Sequence, residues 1–188
     1  MASELQVTTI RGVPTGANAN QIVVPTGQTL AAPGHIIQVV STTKTDTFVS
    51  SATGPIDIPG LSVTITPKFA TSKIFIMFNA HIVGFDSGTG IRILRGSTNL
   101  GLANTAGAKS IMTAIGFYSN GQSPNSYSGG NTSMSFLDSP STTSATTYKL
   151  QAQCLSTAGI FINKSRYDID NGNASRGSST ITLMEVAQ

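Results

Sequence analysis

The stretch Leu61-Ser-Val-Thr-Ile-Thr-Pro-Lys-Phe-Ala-Thr-Ser-Lys-Ile-Phe-Ile-Met-Phe-Asn-Ala-His-Ile-Val83 leaves little choice of fold. Its first half alternates, with Leu61, Val63 and Ile65 on one side and Ser62, Thr64 and Thr66 on the other, which is the period of a half-buried strand. In the second half Ile74, Ile76, Phe78, Ala80 and Ile82 share one face, while Phe75, Met77 and Val83 put apolar groups on the other. That pattern predicts a central strand covered on both sides. Pro67 ends the first run because it has no N–H to give to a ladder, and the polar segment up to Lys73 reads as a hairpin loop.

Composition decides whether the rest of the chain follows this lead. Thr and Ser number 25 and 23 in 188 residues, beside 19 Gly and only 10% charged residues. Thr favours strands, and Ser and Gly favour turns, so the balance tips away from helices. Ser and Gly enrichment also accompanies disorder, but 39% hydrophobic residues arranged in repeated two-residue periods supply a core. A chain this long buries roughly 70% of its unfolded surface as one domain, with room for a small appendage.

The net charge of +3 comes from 11 Lys and Arg scattered singly against 8 Asp and Glu. No basic stripe tracks a phosphate backbone, and there is no Trp to stack on bases, so nucleic acid is not an expected partner. The single cysteine, Cys154, has no second cysteine to pair with and reads as a buried structural thiol. The N-terminal Met-Ala-Ser-Glu-Leu-Gln has neither a basic nor an apolar signal region, and no apolar run approaches the roughly 20 residues of a membrane helix. The expectation is a protein made in a cytosol, not exported by a cleaved signal and not inserted in a membrane.

Residues 1–34 differ from the rest of the chain. Val-Pro-Thr-Gly occurs at 13–16 and again at 24–27, each copy a turn signal, with short extended pieces at Leu5 to Ile10, Gln21 to Val24 and Thr29 to Ala31. The segment has too few apolar residues for a core of its own, so it is expected to pack on the main domain or on other chains. Pro33-Gly34 punctuates the boundary, and residues 35–188 form the domain. Strands are expected at His35 to Ser41, Lys44 to Ser50, the two halves of the central stretch, Ile91 to Leu94, Asn99 to Ala103, Ile111 to Tyr118, Ser133 to Leu137, Thr146 to Leu155, Gly159 to Asn163 and Ser179 to Val186. Ala52 to Pro59, Ser119 to Asn131 and Ser165 to Ser178 read as loops. Evenly spaced strands of this kind predict an all-β, antiparallel β-sandwich or jelly-roll-like domain behind an extended N-terminal arm.

Chemistry is harder to find. His81 lies within the central strand with Asn79 on its face and reads as a satisfied, partly buried histidine; His35 opens a strand with no local partner. Neither belongs to a catalytic triad or a zinc spacing. Asp168-Ile-Asp170-Asn-Gly-Asn resembles the start of a calcium loop, but its Gly is fifth instead of sixth and Ser179 stands where the twelfth-position Glu belongs, so a polar turn is expected. Gly88-Thr-Gly90 lacks the third glycine of a dinucleotide fingerprint and reads as a turn. Asn131, Asn163 and Asn173 each begin an Asn-X-Ser pattern that this composition produces by accident. No catalytic, cofactor-binding or metal-ligating residue is expected, and no cofactor.

The strings Ile37-Gln-Val-Val40, Gly60-Leu-Ser-Val-Thr-Ile-Thr-Pro67, Thr71-Ser-Lys-Ile74, Arg92-Ile-Leu-Arg-Gly-Ser-Thr98, Ser135-Phe-Leu-Asp-Ser-Pro140, Thr143-Ser-Ala-Thr-Thr-Tyr-Lys149 and Ser179-Thr-Ile-Thr-Leu-Met-Glu185 occur in this order over most of residues 35–188. In them the chain resembles phage virion proteins, the fibre-like or decorating proteins of phages from aquatic bacteria. Val24-Pro-Thr-Gly-Gln-Thr-Leu30 is similar to their stalk or attachment segments. The resemblance implies a non-enzymatic, surface-displayed homotrimer, assembled in the host bacterial cytoplasm and held by capsid or tail proteins; it supplies no catalytic residues. The expected role is capsid decoration (cement) or a short fibre. A receptor-binding tail fibre, touching a host surface glycan through the loops at 119–131 and 165–178, is the alternative. An enzyme acting on polysaccharide ranks last. An arm of 34 residues spans at most roughly 115 Å, which favours decoration or a stub over a long fibre.

Overall fold

The computed structural model describes Thr9, Thr15, Gly16 and residues 23–85, 88–105, 107–119, 129–155, 157 and 159–188. Among the described residues there are twelve strands: β1 (Ile36–Lys44), β2 (Phe48–Ser50), β3 (Ile56–Ile65), β4 (Lys73–Phe85), β5 (Thr89–Arg95), β6 (Thr98–Leu100), β7 (Ala114–Ile115), β8 (Phe117–Ser119), β9 (Gly130–Asp138), β10 (Thr146–Cys154), β11 (Ile160–Ile162) and β12 (Ser179–Val186). They form two sheets. In the first, β1, β12 and β4 are neighbours, β4 continues to β11 and β2, and its other edge carries β9 and β8. The second runs β3, β10, β5, β6, with β7 also on β5. All pairings are antiparallel except that of β8 with β4. The protein is an all-β sandwich of the jelly-roll-like kind.

The central stretch does organise it. On one side of β4, Lys73 to Asn79 pairs with β12 and Ile82 to Gly84 with β11; on the other, Ile74 to Ile82 pairs with β9. Thirteen residues exceed the length of any one neighbour, so β4 is the strand to which the shorter ones are fastened. Ile74, Ile76, Phe78, Ala80 and Ile82 face inward and meet Leu61, Val63 and Ile65 of β3, Ile91 and Ile93 of β5, and Tyr148, Leu150, Ala152 and Cys154 of β10 in one continuous core. Burying each large aliphatic side chain in that core contributes about 1.5 to 3 kcal/mol. The alternation read from the sequence is the alternation seen: Ser62, Thr64 and Thr66 lie outside.

Three expectations are corrected. First, β3 and β4 are not a hairpin. They belong to different sheets, and the segment between them is an arch whose Lys68 and Phe69 N–H groups donate to the carboxylate of Glu185 at 2.7 and 3.3 Å. Glu185 is fully buried and also accepts from the Gln38 side chain, so one carboxylate holds β1, β12 and the arch together. Second, β3 begins at Ile56, inside the expected loop. Pro59 is tolerated there because Gly60, at φ +82°, forms a wide irregularity in the ladder with β10, where Lys149 faces Ser62 but Gln151 faces Asp57. Third, β1 runs on through Thr42 and Thr43 to Lys44, and the chain turns at 45–47, where the Lys44 ammonium meets Asp46 at 2.8 Å.

The other elements sit close to their expected places, with the apolar run from Ile111 broken into β7 and β8 at Gly116. A Cβ on Gly116 would come within 3.1 Å of Ile82 and 3.3 Å of Thr89, so a larger residue at that bend would press on both side chains. In the arm, Gln28 N–H donates to Pro25 C=O at 3.0 Å across Thr26 and Gly27, a turn that uses the left-handed φ of +87° at Gly27. Thr29 to Ala31 is outside any strand. The expected strand at Leu5 to Ile10 but for Thr9, the first half of that at Gln21 to Val24, the first Val-Pro-Thr-Gly copy but for Thr15 and Gly16, and the loop from 120 to 128 lie outside the described residues.

Candidate functional site

The two sheets turn unlike faces to the outside. On the second sheet the outer face is polar and charged: Lys149 pairs with Asp57 at 2.8 Å, Gln151 donates to the same carboxylate at 2.8 Å, and Arg92 stands opposite Gln151. The Lys149 ammonium and the Gln151 amide hold the Asp57 carboxyl below its ordinary pKa. At one corner Asp138 accepts from Tyr148 Oη and from Arg95 Nη1, both at 2.7 Å, joining β9 of the first sheet to β10 and β5 of the second. Burial and the adjacent Asp138 carboxylate push the Tyr148 hydroxyl pKa well up, so it remains a neutral donor.

On the first sheet the outer face carries no charge over three successive rows. Register places Val39, Met184, Phe75 and Leu137 in one row, Ser41, Thr182, Met77 and Ser135 in the next, and Thr43, Thr180, Asn79 and Ser133 in the third. Val39, Met77 and Leu137 are exposed by 55, 43 and 47%. This corrects the expectation of a strand covered on both sides: β4 is central, but among the described residues its outer face is open at Met77 and half-buried at Phe75, and only Val83 is closed over. Large apolar groups on both faces of a strand call for two contacts, and among the described residues the second is made only at Val83. Beside Met77 a depression of about 340 Å³ is lined by Met77, Phe78, Asn79, Ser133, Thr180 and Thr182.

One row further along β4, His81 is half-buried, with its backbone N–H donated to Ser179 Oγ at 3.0 Å. Its ring lies against two glycines: a Cβ on Gly129 would fall 2.5 Å from Nε2, and one on Gly177 would fall 3.0 Å from Cγ. Nδ1 is buried without a hydrogen-bond partner, so the ring is not satisfied as expected, and burial lowers its pKa below the ordinary 6.5. The unfolded chain therefore binds a proton that the folded chain resists, and stability is full above pH 6.5 and falls as pH drops below it. Denaturant titrations at about pH 7.5 and about pH 5 should show a loss at the lower pH in the natural protein that shrinks in His81→Asn. Equal losses in both would remove His81 as the cause. His35 is exposed at the entry to β1.

Asp168 does not begin a cation loop. Its carboxylate takes the Lys164 ammonium at 2.6 Å and the Arg176 guanidinium at 2.8 Å, and these contacts, Lys164 first, depress its pKa. Asn171 Oδ1 accepts the Asn173 N–H at 2.7 Å, which makes the following residues a polar turn. Around it, Asp168, Ile169, Asp170, Asn171, Ala174 and Arg176 line an open hollow of about 320 Å³. Among the described residues no group of three or more His, Cys, Asp and Glu is placed to hold a metal ion, and no helix is long and apolar enough to cross a membrane. Cys154 is a buried thiol in the core.

Asn163 is the residue that sequence reasoning had least cause to single out. Its Asn-Lys-Ser pattern suggests glycosylation, yet the side chain is fully buried: Nδ2 donates to Lys44 C=O at 2.8 Å and Asp46 C=O at 2.9 Å, and Oδ1 accepts from Ser179 Oγ at 2.6 Å. The amide has no path to a sugar. Its φ of +61°, which Asn tolerates better than most residues, is the local reason for the choice. An Asn between a short apolar strand and a polar loop was the one available signal.

No protein-family model matches this chain, and no curated protein matches it. Among solved structures it is similar to one titled as the structure of infectious bursal disease virus, Gt strain, with 12% identity and a TM-score of 0.41 over 96% of this chain and 47% of that one. The Gx strain structure gives 15% identity and a TM-score of 0.41 over 89% of this chain and 42% of that one. The chain thus spans less than half the length of either. Likeness at that level says nothing about what this chain does.

Proposed function

We propose that the protein is a non-enzymatic bacteriophage virion component, a surface-displayed homotrimer that decorates the capsid or forms a short fibre. The observation that carries this reading is the arm. Over residues 23–33 the chain is in no strand; its ladder to the sandwich starts only where Gly34 N–H donates to Ala187 C=O at 2.8 Å, and Ala187 N–H returns to His35 C=O at 2.9 Å. Val23 and Leu30 are 56 and 61% exposed, so the arm presents apolar side chains that its own domain does not cover. A tethered segment, uncharged over residues 23–33, suits docking on another protein surface, and the resemblance of the domain's ordered strings to phage decorating and fibre-like proteins suggests which kind of surface to test.

Deleting residues 1–34 is expected to leave a domain that melts cooperatively and stays β-rich by circular dichroism, because among the described residues the core cluster runs from Ile58 to Leu183 and includes none of the arm. The truncated form should fail to bind particles lacking the native protein, whereas the full chain should rebind them. Undiminished binding by the truncated form rejects the anchor. Imaging such particles with the protein restored separates the two placements: density over the whole shell supports decoration, and density confined to the tail supports a fibre.

A receptor-binding tail fibre is the second reading. It is favoured by the hollow at the 168–176 turn, where carboxylates, an amide and the exposed Ile169 offer the mixture of acceptors, donors and apolar surface that sugar rings use. Asp170→Ala or Asn171→Ala should then reduce adsorption to host cells without changing the melting temperature; unchanged adsorption rejects it.

A further inference from the structure

We infer that the outer face of the first sheet, from β1 across β12 and β4 to β9, is the surface on which a second copy of this chain docks. The inference rests on the reading of the protein as a self-associating oligomer and names the surface that does it. The face collects four of the exposed large apolar side chains of the domain: Ile36, Val39, Met77 and Leu137. Phe75 and Met184 lie half-buried among them. Four strands at about 4.8 Å spacing and four rows at about 6.8 Å give a flat area of roughly 19 by 27 Å, close to 500 Å². Apolar side chains fill its first uncharged row, and Ser, Thr and Asn fill most of the other two, a mixture of the kind that protein interfaces carry. Doubled by a second copy, the area reaches the roughly 1,000 Å² at which specific interfaces begin.

Charge selects the occupant. No row from Val39 to Ser133 contains an ionic side chain, while the opposite sheet displays Lys149, Asp57 and Arg92. Lys73, opposite Val186 in the end row with Ile36, stands at the rim. A partner that brought charge to the three uncharged rows would bury it unpaired, which is costly. An identical copy brings none there, so two such faces meet about a two-fold axis with no charge between them, a pairwise contact additional to any trimer seam. The polar groups on the face resist drying less than their number suggests. Ser41 Oγ and Thr182 Oγ1 are bonded to each other at 3.0 Å, and Thr43 Oγ1 and Thr180 Oγ1 at 3.2 Å, so these hydroxyls keep partners when water leaves. Shape agrees: the same face offers an exposed Met77 and Leu137 and, beside Met77, the depression of about 340 Å³.

The test uses the full chain and three forms: natural, the double variant Met77→Glu with Leu137→Glu, and Ser62→Glu, which places the same charge on the exposed face of β3 in the other sheet. Sedimentation at micromolar concentration should give an oligomer for the natural protein and for Ser62→Glu, and at least tenfold weaker association for the double variant. Circular dichroism and melting separate this from misfolding. Should the double variant lose its cooperative melt, Thr182→Lys, at a half-buried site in the middle of the same face, replaces it, with the same outcome expected. A monomeric natural protein, a double variant of undiminished mass, or loss of association in Ser62→Glu each overturns the inference. Particle binding is read in parallel, because a natural protein that is monomeric yet rebinds particles sinks the self-docking face and leaves the virion reading standing. An oligomer broken by the double variant, from a protein that binds no particle, does the reverse.

Discussion

Replacing Ile76 with Ala is expected to cost about 2 to 5 kcal/mol of folding stability, with Phe78→Ala about 3 to 5, measured as a shift in the denaturant midpoint at constant slope. Ile76 is fully buried at the middle of β4, paired with Leu183 on one side and Phe136 on the other. The three carbons lost forfeit transfer energy, and the neighbouring strands are fixed by ladders on both sides of β4, so the cavity cannot close by moving one of them. The matched control is Met77→Ala, one residue along and on the open face, which should change stability by less than about 1 kcal/mol in the unassociated chain. Losses below about 0.5 kcal/mol at both Ile76 and Phe78 would show that the core lies elsewhere. A loss at Met77 equal to that at Ile76 would show that the outer face is covered within the chain.

That contrast also marks how far the sequence could be read. The period of two placed Leu61, Val63, Ile65 and the even residues of β4 on one interior because side-chain alternation is local and every residue in such a run reports on it. It told nothing about which strands pair. Pro67 and the polar residues after it look the same whether the chain folds back as a hairpin or crosses to the opposite sheet, and the difference is made by Glu185, over a hundred residues later, taking two N–H groups of the arch. The reading of β4 as covered on both faces failed for a related reason: Phe75 and Met77 record that the outer face prefers to be dry, not that this chain dries it.

The polar sites were less legible still. His81 on β4 and Asn163, just past the end of β11, are joined where Asn163 N–H donates to His81 C=O at 3.1 Å, and both meet Ser179 Oγ. In the sequence they are separated by 82 residues, and neither has a spacing that a motif would recognise. The Asp138, Tyr148 and Arg95 knot is the same case, an interior polar cluster whose members come from three strands in two sheets. Such groups are selected by what the fold leaves unpaired, and the fold must be known before the need is visible.

Asn163→Ala should therefore destabilise the protein by about 3 to 5 kcal/mol, a loss as large as that of a core isoleucine although only a polar amide is removed. Four consequences act together. The carbonyls of Lys44 and Asp46 lose their donor, Ser179 Oγ loses its acceptor, and the residue keeps a left-handed φ that Ala adopts with strain. Fully buried, the site gives water no ready way to replace the lost bonds. The backbone share can be measured separately: Asn163→Gly accepts φ +61° freely and should recover only about 1 kcal/mol of the loss, leaving the hydrogen-bond share. Asn163→Asp keeps the acceptor for Ser179 but turns a carboxylate oxygen toward two carbonyls, and should be no more stable than Asn163→Ala at neutral pH. Acidifying toward the carboxyl pKa should restore part of that variant's stability, since the neutral acid can donate to one carbonyl. A loss below about 1 kcal/mol in Asn163→Ala would mean that the turn at 45–47 and the start of β12 hold together without this amide. A full rescue by Gly would place the whole effect in the backbone.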